Sequence, residues 1–518
     1  MMARVGINFW LVLIITLFIM FFNLGSIPLM DPDEPVYAET PKEMLQFNEF
    51  LSPRIYGEYW YDKPPMYYWL VAASYQLFGV NEFAARFPSA ILAVVCVLVV
   101  YCSGRRLFGE KAGVAGAMVL ATSVEYFYLG KAAVTDTTLN ICLTVSLLAF
   151  IEKRYYIFYL FAGLATLTKG PIGLLFPGGI VFFYLAFTRN FSELRNMKIP
   201  TGILLYSLVA IPWYYIMYTL HGSEFLETFL GFHNITRFTS PEHPEGVLWY
   251  YYLPVLMLGF FPWIAIMVQS IWASLTTSRR DFNVLLFLNI WVVFIFLFFT
   301  ISRTKLVSYI LPLYPPLAMI VGWYIGRLWD SRKQLVSYNW IIMLGILTLL
   351  LGGGMIWGVK DMPVLLNGVI ASTAIFGMMA LMAGYFLWQQ RIGRAFWMQI
   401  GAMVLFSVIL MTLLFPKVAG DFASRDIARD FSAQYDGKSP VYVLKFLHPG
   451  FTFYTNVYGT ELKSDIELNN AIERSERSYF VIRQCEYERL AINDRPEFTV
   501  LANSADKVLL LKNNNGGK

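Results

Sequence analysis

The run Met30-Asp31-Pro32-Asp33-Glu34-Pro35-Val36-Tyr37-Ala38-Glu39 concentrates carboxylates between two prolines. Pro32 and Pro35 should prevent a regular helix before Val36. Asp33 and Glu34 are then expected just beyond the first apolar helix, at a membrane–water boundary. A carboxylate screened there from bulk water can take a proton from a hydroxyl or hold a cation. The same acids would equally serve as the N-terminal charge of a helix over Val36–Gln46. Further on, Tyr59-Trp60-Tyr61-Asp62-Lys63-Pro64-Pro65-Met66-Tyr67-Tyr68-Trp69 sets aromatics on both sides of an Asp-Lys-Pro-Pro turn. That pattern suits an interfacial aromatic belt, and equally a sugar-stacking platform with Asp62 and Lys63 at its edge. Asp136 follows Thr135 at the start of an apolar run, and acids at membrane depth point to function. Thr168-Lys169-Gly170-Pro171 puts a cation at a helix break, and His233-Asn234-Ile235-Thr236-Arg237-Phe238 and Ser302-Arg303-Thr304-Lys305-Leu306-Val307-Ser308-Tyr309 repeat the theme.

The elements that must position these groups are membrane helices. Of 518 residues, 57% are hydrophobic and only 14% charged, and mean hydropathy is +0.54. Soluble domains carry roughly 25% charged residues, so a soluble enzyme and a disordered chain are both excluded. The 28 charged residues among the 102 positions from Lys417 onward are about twice as dense as in the chain overall. A membrane domain over 1–416 followed by a soluble domain over 417–518 is therefore expected. The net charge of +5 comes without a basic stripe, which argues against a nucleic-acid partner. Four cysteines (Cys96, Cys102, Cys142, Cys485) lack metal-ligand spacing and give no disulfide framework. The apolar run from about Phe9 to Leu24 has no small-residue cleavage site after it and reads as an uncleaved first helix.

Thirteen spans emerge, near 8–27, 88–104, 112–129, 136–151, 155–168, 171–188, 200–220, 249–273, 284–301, 307–327, 336–357, 363–388 and 395–415. With Arg4 inside, every even-to-odd connection is basic: Arg105/Arg106/Lys111, Lys153/Arg154, Arg189/Arg195/Lys198, Arg279/Arg280, Arg327/Arg332/Lys333 and Arg391/Arg394. This places the N-terminus in the cytoplasm and the soluble domain outside. The long external loops are then 28–87 and 221–248. Lys131, Lys169 and Arg303/Lys305 fall on the external side against the positive-inside trend. Each could snorkel from a helix end, but their recurrence favours an anionic ligand on that face.

The tail reads as α/β, with helical periodicity over Asp421–Gln434 and Ile466–Ser475 and β-rich runs at Val441–Leu447, Ser478–Ile482 and Lys507–Leu511. It holds no cluster of nucleophile, base and metal-ligand types, and is expected to be structural or to recruit an acceptor. Acids and cations on one face suit group transfer from a lipid phosphate. Cations would hold the leaving phosphate, and a carboxylate would take the acceptor's proton. No P-loop or Rossmann glycine fingerprint occurs, so a nucleotide sugar or ATP is not the expected donor. The rival is a transporter or lipid flippase, which would place charges near the midplane, often with internal repeats. No repeat is evident.

The ordered set Asp33-Glu34-x-x-Tyr37-Ala38-Glu39, Tyr61-Asp62-Lys63-Pro64-Pro65, Phe78-Gly79-x-Asn81-Glu82-Phe83-Ala84-x-Arg86, Thr168-Lys169-Gly170 and Lys305-Leu306-x-x-Tyr309-Ile310-Leu311-Pro312 resembles the bacterial aminoarabinose transferases. These stand with the protein O-mannosyltransferases among the GT-C glycosyltransferases, and the likeness covers roughly 8–330. It implies an α-helical GT-C membrane protein of about thirteen helices with an external C-terminal domain, in the bacterial inner membrane. The implied activity is inverting transfer of a sugar from polyprenyl (undecaprenyl) phosphate to a lipid or glycan acceptor such as lipid A, with O-mannosylation or another envelope-glycan transfer as the alternative. Asp33 and Asp136 match the family's catalytic acids. Glu34, Tyr37, Asp62, Lys63, Lys169, Arg237, Lys305 and Tyr309 are the implied donor- and acceptor-binding set, with Lys169, Arg237 and Tyr309 at positions that bind donor phosphate. Asp62 stands where the family has Glu, and His233-Asn234 replaces its Glu-His pair with an extra residue before Arg237. Pro35 and Val36 replace its usual arginine. No cofactor is therefore expected to be required, and His233 and Asp62 are the residues that would hold a metal if one bound.

Overall fold

The structure, a computed structural model, describes residues 6–240, 248–278, 281–330, 338–474, 476–489 and 495–513. It divides into two compact units. The first comprises Met1–Phe22, Tyr61–Tyr67 and Pro88–Leu413, the second Asn23–Trp60, Tyr68–Phe87 and Leu414–Lys518.

Among the described residues, seven helices are long and apolar enough to cross a membrane: Glu82–Phe108, Ile199–Phe232, Phe282–Ile301, Val307–Trp329, Tyr338–Gly358, Pro363–Trp388 and Ile392–Val418. Two bent pairs, Glu110–Ala121 with Val124–Gly130 and Tyr252–Gly259 with Ile264–Thr276, raise the number to nine if each pair is one span. These nine coincide with nine of the expected spans. The other four, near 8–27, 136–151, 155–168 and 171–188, are the helices Ile7–Phe21, Asp136–Ile151, Tyr155–Lys169 and Ile172–Thr188. At 15, 16, 15 and 17 residues they are shorter than the ~20 that a bilayer core requires.

Both bends have local causes. In the first pair, which turns by 66°, the Thr122 and Ser123 hydroxyls donate back to the carbonyls of Met118 and Val119 at 2.6 and 2.7 Å. They compete with the backbone at the break. In the second, which turns by 107°, Pro262 supplies no N–H to continue the helix. Arg4, Arg279, Arg280, Arg332 and Lys333, used above to orient the chain, lie outside the described residues.

The second unit contains a five-stranded mixed sheet. With the short hairpin Arg54–Ile55 (β1) and Glu58–Tyr59 (β2) counted first, its strands are Val441–Leu444 (β3), Thr460–Leu462 (β4), Ser478–Arg483 (β5), Phe498–Ser504 (β6) and Lys507–Lys512 (β7). Their order is β4-β3-β5-β7-β6. β3 runs parallel to β4 and β5, and β7 antiparallel to β5 and β6. Alternate residues face opposite sides of a strand. Val441, Val443, Tyr479, Val481 and Leu509 pack with Ile427, Phe431 and Phe451 on one face, and Tyr442, Phe480, Ile482, Val508 and Leu510 pack with Leu468 and Ile472 on the other. Three strands and the helices Arg425–Gln434 and Asp465–Glu473 lie where the sequence places them. β4, β6 and the helix His448–Thr455 were not foreseen: β4 is only three residues long, and β6 carries exposed polar positions that break its apolar run.

One expectation is corrected. The helix after the first apolar segment is Asp33–Gln46, not Val36–Gln46, with Pro32 at its N-cap and Pro35 in its first turn. The first-turn N–H groups have no intrahelical partner, so proline there costs no hydrogen bond.

Candidate functional site

In the first unit the sequence brings three of the expected residues together. Asp136 is the first residue of the helix Asp136–Ile151, and Lys169 the last of Tyr155–Lys169. An acid at a helix N-terminus and a cation at a C-terminus are both favoured by the helix dipole. Gly170 ends the second helix at φ +77, a backbone conformation that glycine adopts without strain. Lys169 Nζ donates to Asp136 Oδ1 at 2.7 Å, with only about a tenth of either side chain exposed. The same ammonium lies 4.8 Å from the centroid of the Tyr309 ring. Tyr309 is carried by the 3-10 turn Val307–Leu313 and packs against Phe299. A largely buried cation held between a carboxylate and an aromatic face is fixed in direction and suits an incoming anion.

Asp62 and Lys63 also belong to this unit. Lys63 Nζ donates to Asp62 Oδ1 at 2.7 Å, and Asp62 is buried. Lys305 is buried, with its ammonium on the Ser302 carbonyl at 2.7 Å. The backbone of His233 lies in the π-helical stretch Glu227–Thr236, and that of Arg237 in the turn Arg237–Thr239. The side chains of His233, Asn234 and Arg237 lie outside what is described. Of the aromatics around Asp62, Tyr61 is buried against His221 and Phe225. Tyr67 and Tyr68 are fully buried. Among the described residues no group of three His, Cys, Asp or Glu side chains could hold a metal ion. Asp62 and Asp136 each bond an ammonium, which a divalent cation would have to displace.

Asp33, Glu34 and Tyr37 lie in the second unit, on the helix Asp33–Gln46. Asp33 is exposed in the first turn, while Tyr37 is half-buried with its ring 6.2 Å from that of Tyr68. Glu34 is buried and forms a two-pronged pair with Arg86, at 2.8 Å from Nε and 2.6 Å from Nη2. The rest of the guanidinium donates to the carbonyls of Leu24, Ile27 and Pro28. Glu34 also accepts from the Met30 N–H at 2.9 Å. The pair therefore fastens residues 24–30 to the turn that carries Asp33. No role for Arg86 was inferred from the sequence, where it is one cation in a loop.

The C-terminal segment of this unit secures the same turn. Asp31 N–H donates to the Phe422 carbonyl at 2.7 Å, Asp31 Oδ2 accepts from Ser424 Oγ at 2.5 Å, and Leu29 N–H donates to Tyr454 Oη at 2.9 Å. Gly450 has no side chain because a Cβ there would lie 2.1 Å from Asp31 Oδ1. Burial pushes the Asp31 carboxyl up to about 8, with the Ser424 hydrogen bond and Lys507 offsetting part of the rise. An unfolded aspartate ionises near ~3.9. Between about pH 4 and pH 8 the folded chain keeps a proton that the unfolded chain has released, so stability is greatest at the acid end and falls as pH rises. Burial raises Glu43 to about 7 with the same sign. Asp31→Asn should therefore reduce, without abolishing, the loss of thermal stability between pH 5 and 8 in detergent. An unchanged slope would contradict the buried neutral carboxyl.

Two groups differ from expectation or were missed. Lys131, read as an outer cation for an anionic ligand, is buried and donates to the carbonyls of Ile19, Met20 and Phe22, where it caps the helix Ile7–Phe21. The unpaired carbonyls of a helix C-terminus are sufficient reason for it. Glu125, which no sequence reading singled out, is buried just past the bend, with Tyr314 Oη donating to it at 2.5 Å. A lone acid in an apolar run was the available signal.

Residues 62–216 match the family model described as dolichyl-phosphate-mannose-protein mannosyltransferase. An uncharacterized protein of Aquifex aeolicus is 33% identical over 350 residues, covering 66% of this chain and 68% of its own. The undecaprenyl phosphate-alpha-4-amino-4-deoxy-L-arabinose arabinosyl transferase of Edwardsiella ictaluri is 28% identical over 75% of this chain and 73% of its own. The crystal structure of ArnT from Cupriavidus metallidurans bound to undecaprenyl phosphate superposes with a TM-score of 0.83, covering 98% of each chain at 21% identity. The chain is a GT-C glycosyltransferase of the aminoarabinose-transferase type. It is a multi-pass membrane enzyme, which removes the transporter alternative. The wider fold is shared with the archaeal oligosaccharyltransferase AglB from Archaeoglobus fulgidus, at a TM-score of 0.52 and 12% identity over 93% of this chain and 71% of the other.

Proposed function

We propose that this enzyme is an inverting transferase that moves a sugar from polyprenyl phosphate to a lipid or glycan acceptor of the cell envelope, such as lipid A. The carrier is undecaprenyl phosphate in a bacterial host. The observation that carries the reading is the largely buried Lys169 ammonium, aimed by Asp136 and the Tyr309 face. An enzyme that expels a phosphate needs a fixed cation to meet the charge it develops. The donor class is supported by the name of the Edwardsiella relative and by the undecaprenyl phosphate bound to the Cupriavidus ArnT.

In the reaction an acceptor oxygen bonds to the anomeric carbon from the face opposite the phosphate. The carbon–oxygen bond to phosphate breaks, its electron pair leaves with the phosphate, and the acceptor's proton goes to Asp33. Lys63, Lys169, Arg237 and Lys305 hold the departing phosphate, while Asp62 and Asp136 orient Lys63 and Lys169. Glu34, through Arg86, positions the turn that carries Asp33. The thirteen-span topology, with a cytoplasmic N-terminus and an external domain over 417–518 in the bacterial inner membrane, is part of this proposal. It is supported by the basic connections on one side of the predicted spans. A protein O-mannosyltransferase activity is the second reading, favoured by the family model over 62–216.

The test is release of undecaprenyl phosphate by the purified enzyme from an undecaprenyl-phosphate-linked sugar, followed by mass spectrometry with envelope lipids or with a protein acceptor. Release with a sugar mass gained by a lipid supports the proposal. A gain by the protein supports the second reading, and turnover of a nucleotide sugar instead would overturn both. Because the acids of the first unit carry ammonium partners, activity should survive exhaustive EDTA treatment. Loss with EDTA, restored by micromolar Mg²⁺, Mn²⁺ or Zn²⁺, would recast Asp33 and Asp136 as metal ligands.

A further inference from the structure

The first unit contains a largely apolar cavity of about 240 Å³, larger than the ~150 Å³ cavities that admit benzene. Its walls are Phe158, Ala162, Pro177, Gly178, Val181 and Ile203, with Phe191, Leu194 and Met197 closing one end. Leu174 and Tyr206 also line it, and Tyr206 Oη lies 3.1 Å from Thr166 Oγ1, so the cavity runs along the helix Tyr155–Lys169 from its Lys169 half to its start. Phe158 and Tyr159 lie near the opposite end of the helix Tyr155–Lys169 from Lys169, and 15 residues at ~1.5 Å each extend about 22 Å.

The segment that closes the cavity, Arg189-Asn190-Phe191-Ser192-Glu193-Leu194-Arg195-Asn196-Met197-Lys198, interleaves its lining residues with cations. Phe191 and Leu194 are exposed as well as lining the cavity. Glu193, its only acid, is taken by the Tyr155 hydroxyl and by Lys153 at 3.7 Å. Arg189, Arg195 and Lys198 are exposed, and among the described residues none pairs with a carboxylate. The Lys198 ammonium rests 5.0 Å from the Tyr156 ring, beside the cavity wall. An apolar chamber open to its surroundings, lined by a segment that also carries three cations without carboxylate partners among the described residues, is complementary to one ligand class in a membrane protein.

We propose that this cavity binds an acyl chain of an anionic phospholipid, with the headgroup phosphate held by Arg189, Arg195 and Lys198. The chamber supplies the apolar contact, and the cations supply the preference for negative charge. Attraction of basic residues to anionic lipid is appreciable per charge, so three together should give about a hundredfold discrimination. The inference does not depend on the identity of the sugar or the acceptor.

Native mass spectrometry of the delipidated enzyme with phosphatidylglycerol or phosphatidylcholine of matched chains tests it. Phosphatidylglycerol should be retained about a hundredfold more strongly, and the combined Arg189→Gln, Arg195→Gln and Lys198→Gln variant should bind both lipids alike. A Cβ at Gly178 meets nothing within 4 Å, so Gly178→Leu should fill the chamber without a clash and reduce retention of both lipids. Folding of each variant is checked by its elution and melting temperature; the exposed triple variant remains decisive if Gly178→Leu fails that check. Equal retention of the two lipids by wild type, or a preference that survives the triple variant, would overturn the proposal. So would stoichiometric displacement of phosphatidylglycerol by undecaprenyl phosphate, which would assign the chamber to the donor's chain.

Discussion

Asp33→Asn should lower turnover by about 10²–10⁴-fold, the usual cost of removing a general base, while the melting temperature stays near wild type. Asp33 is exposed in the first turn of Asp33–Gln46. Asparagine keeps its shape there and loses a favourable charge at the helix N-terminus, typically ~0.3–1 kcal/mol. The turn itself is held by groups the substitution does not touch: the Glu34–Arg86 pair and the Ser424 and Phe422 bonds to Asp31. Binding of the donor lipid should be unchanged, because a base toward the acceptor makes no contact with the phosphate. Wild-type turnover at saturating acceptor would remove Asp33 from the chemistry. A loss of turnover matched by a loss of melting temperature would assign it to structure. With an acceptor that attacks through a phosphate oxygen there is no proton to take, and the loss should be smaller.

Lys169→Ala should weaken donor binding and turnover together, by about 10- to 100-fold, the range for removing a hydrogen bond to a charged group. The substitution also leaves the buried Asp136 without its partner, a change that typically costs ~3–5 kcal/mol in a buried pair. Lys169→Met combined with Asp136→Asn removes both charges and separates the two effects. The double variant should regain stability lost by Lys169→Ala while its donor affinity stays low. Recovery of donor affinity as well would mean that the pair is only a structural tie between two helices. Arg237→Lys should be nearly as damaging as Arg237→Ala if the guanidinium grips phosphate with two N–H groups, since an ammonium offers no such fork. Affinities measured in nanodiscs decide both points.

What could be read from the sequence follows the range of the forces involved. Apolar periodicity and charge placement are local, so nine of the expected spans correspond to helices or bent pairs that could cross a membrane, and Val441–Leu444, Ser478–Arg483 and Lys507–Lys512 are strands as expected. Asp136 and Lys169 were each singled out by residue type and by family likeness, but that the two helix ends bring them into one ion pair was not legible. Distant side-chain partnerships were not legible. Lys131 looked like a ligand cation because nothing in its own loop indicates that the end of Ile7–Phe21 lies over it, 109 residues away from Phe22. Arg86 and Glu34 are 52 residues apart, and Asp31 and Ser424 are 393 apart. Such pairs satisfy buried groups that only the folded chain brings together. The start of the helix at Asp33 was misjudged for a different reason: proline breaks a helix interior and is tolerated in its first turn.

The central claim, transfer of a sugar from polyprenyl phosphate to an envelope acceptor, is tested most directly by lipid mass spectrometry of a strain that lacks this gene, complemented with wild type or with Asp33→Asn. The deletion and the Asp33→Asn strain should both accumulate the polyprenyl-phosphate-linked sugar and lose one glycosylated envelope species, with the missing mass naming the sugar and its acceptor. Wild type should restore both. Unchanged polyprenyl-phosphate sugars and an unchanged set of envelope glycolipids and glycoproteins in the deletion, under conditions where wild type is expressed, would contradict the account.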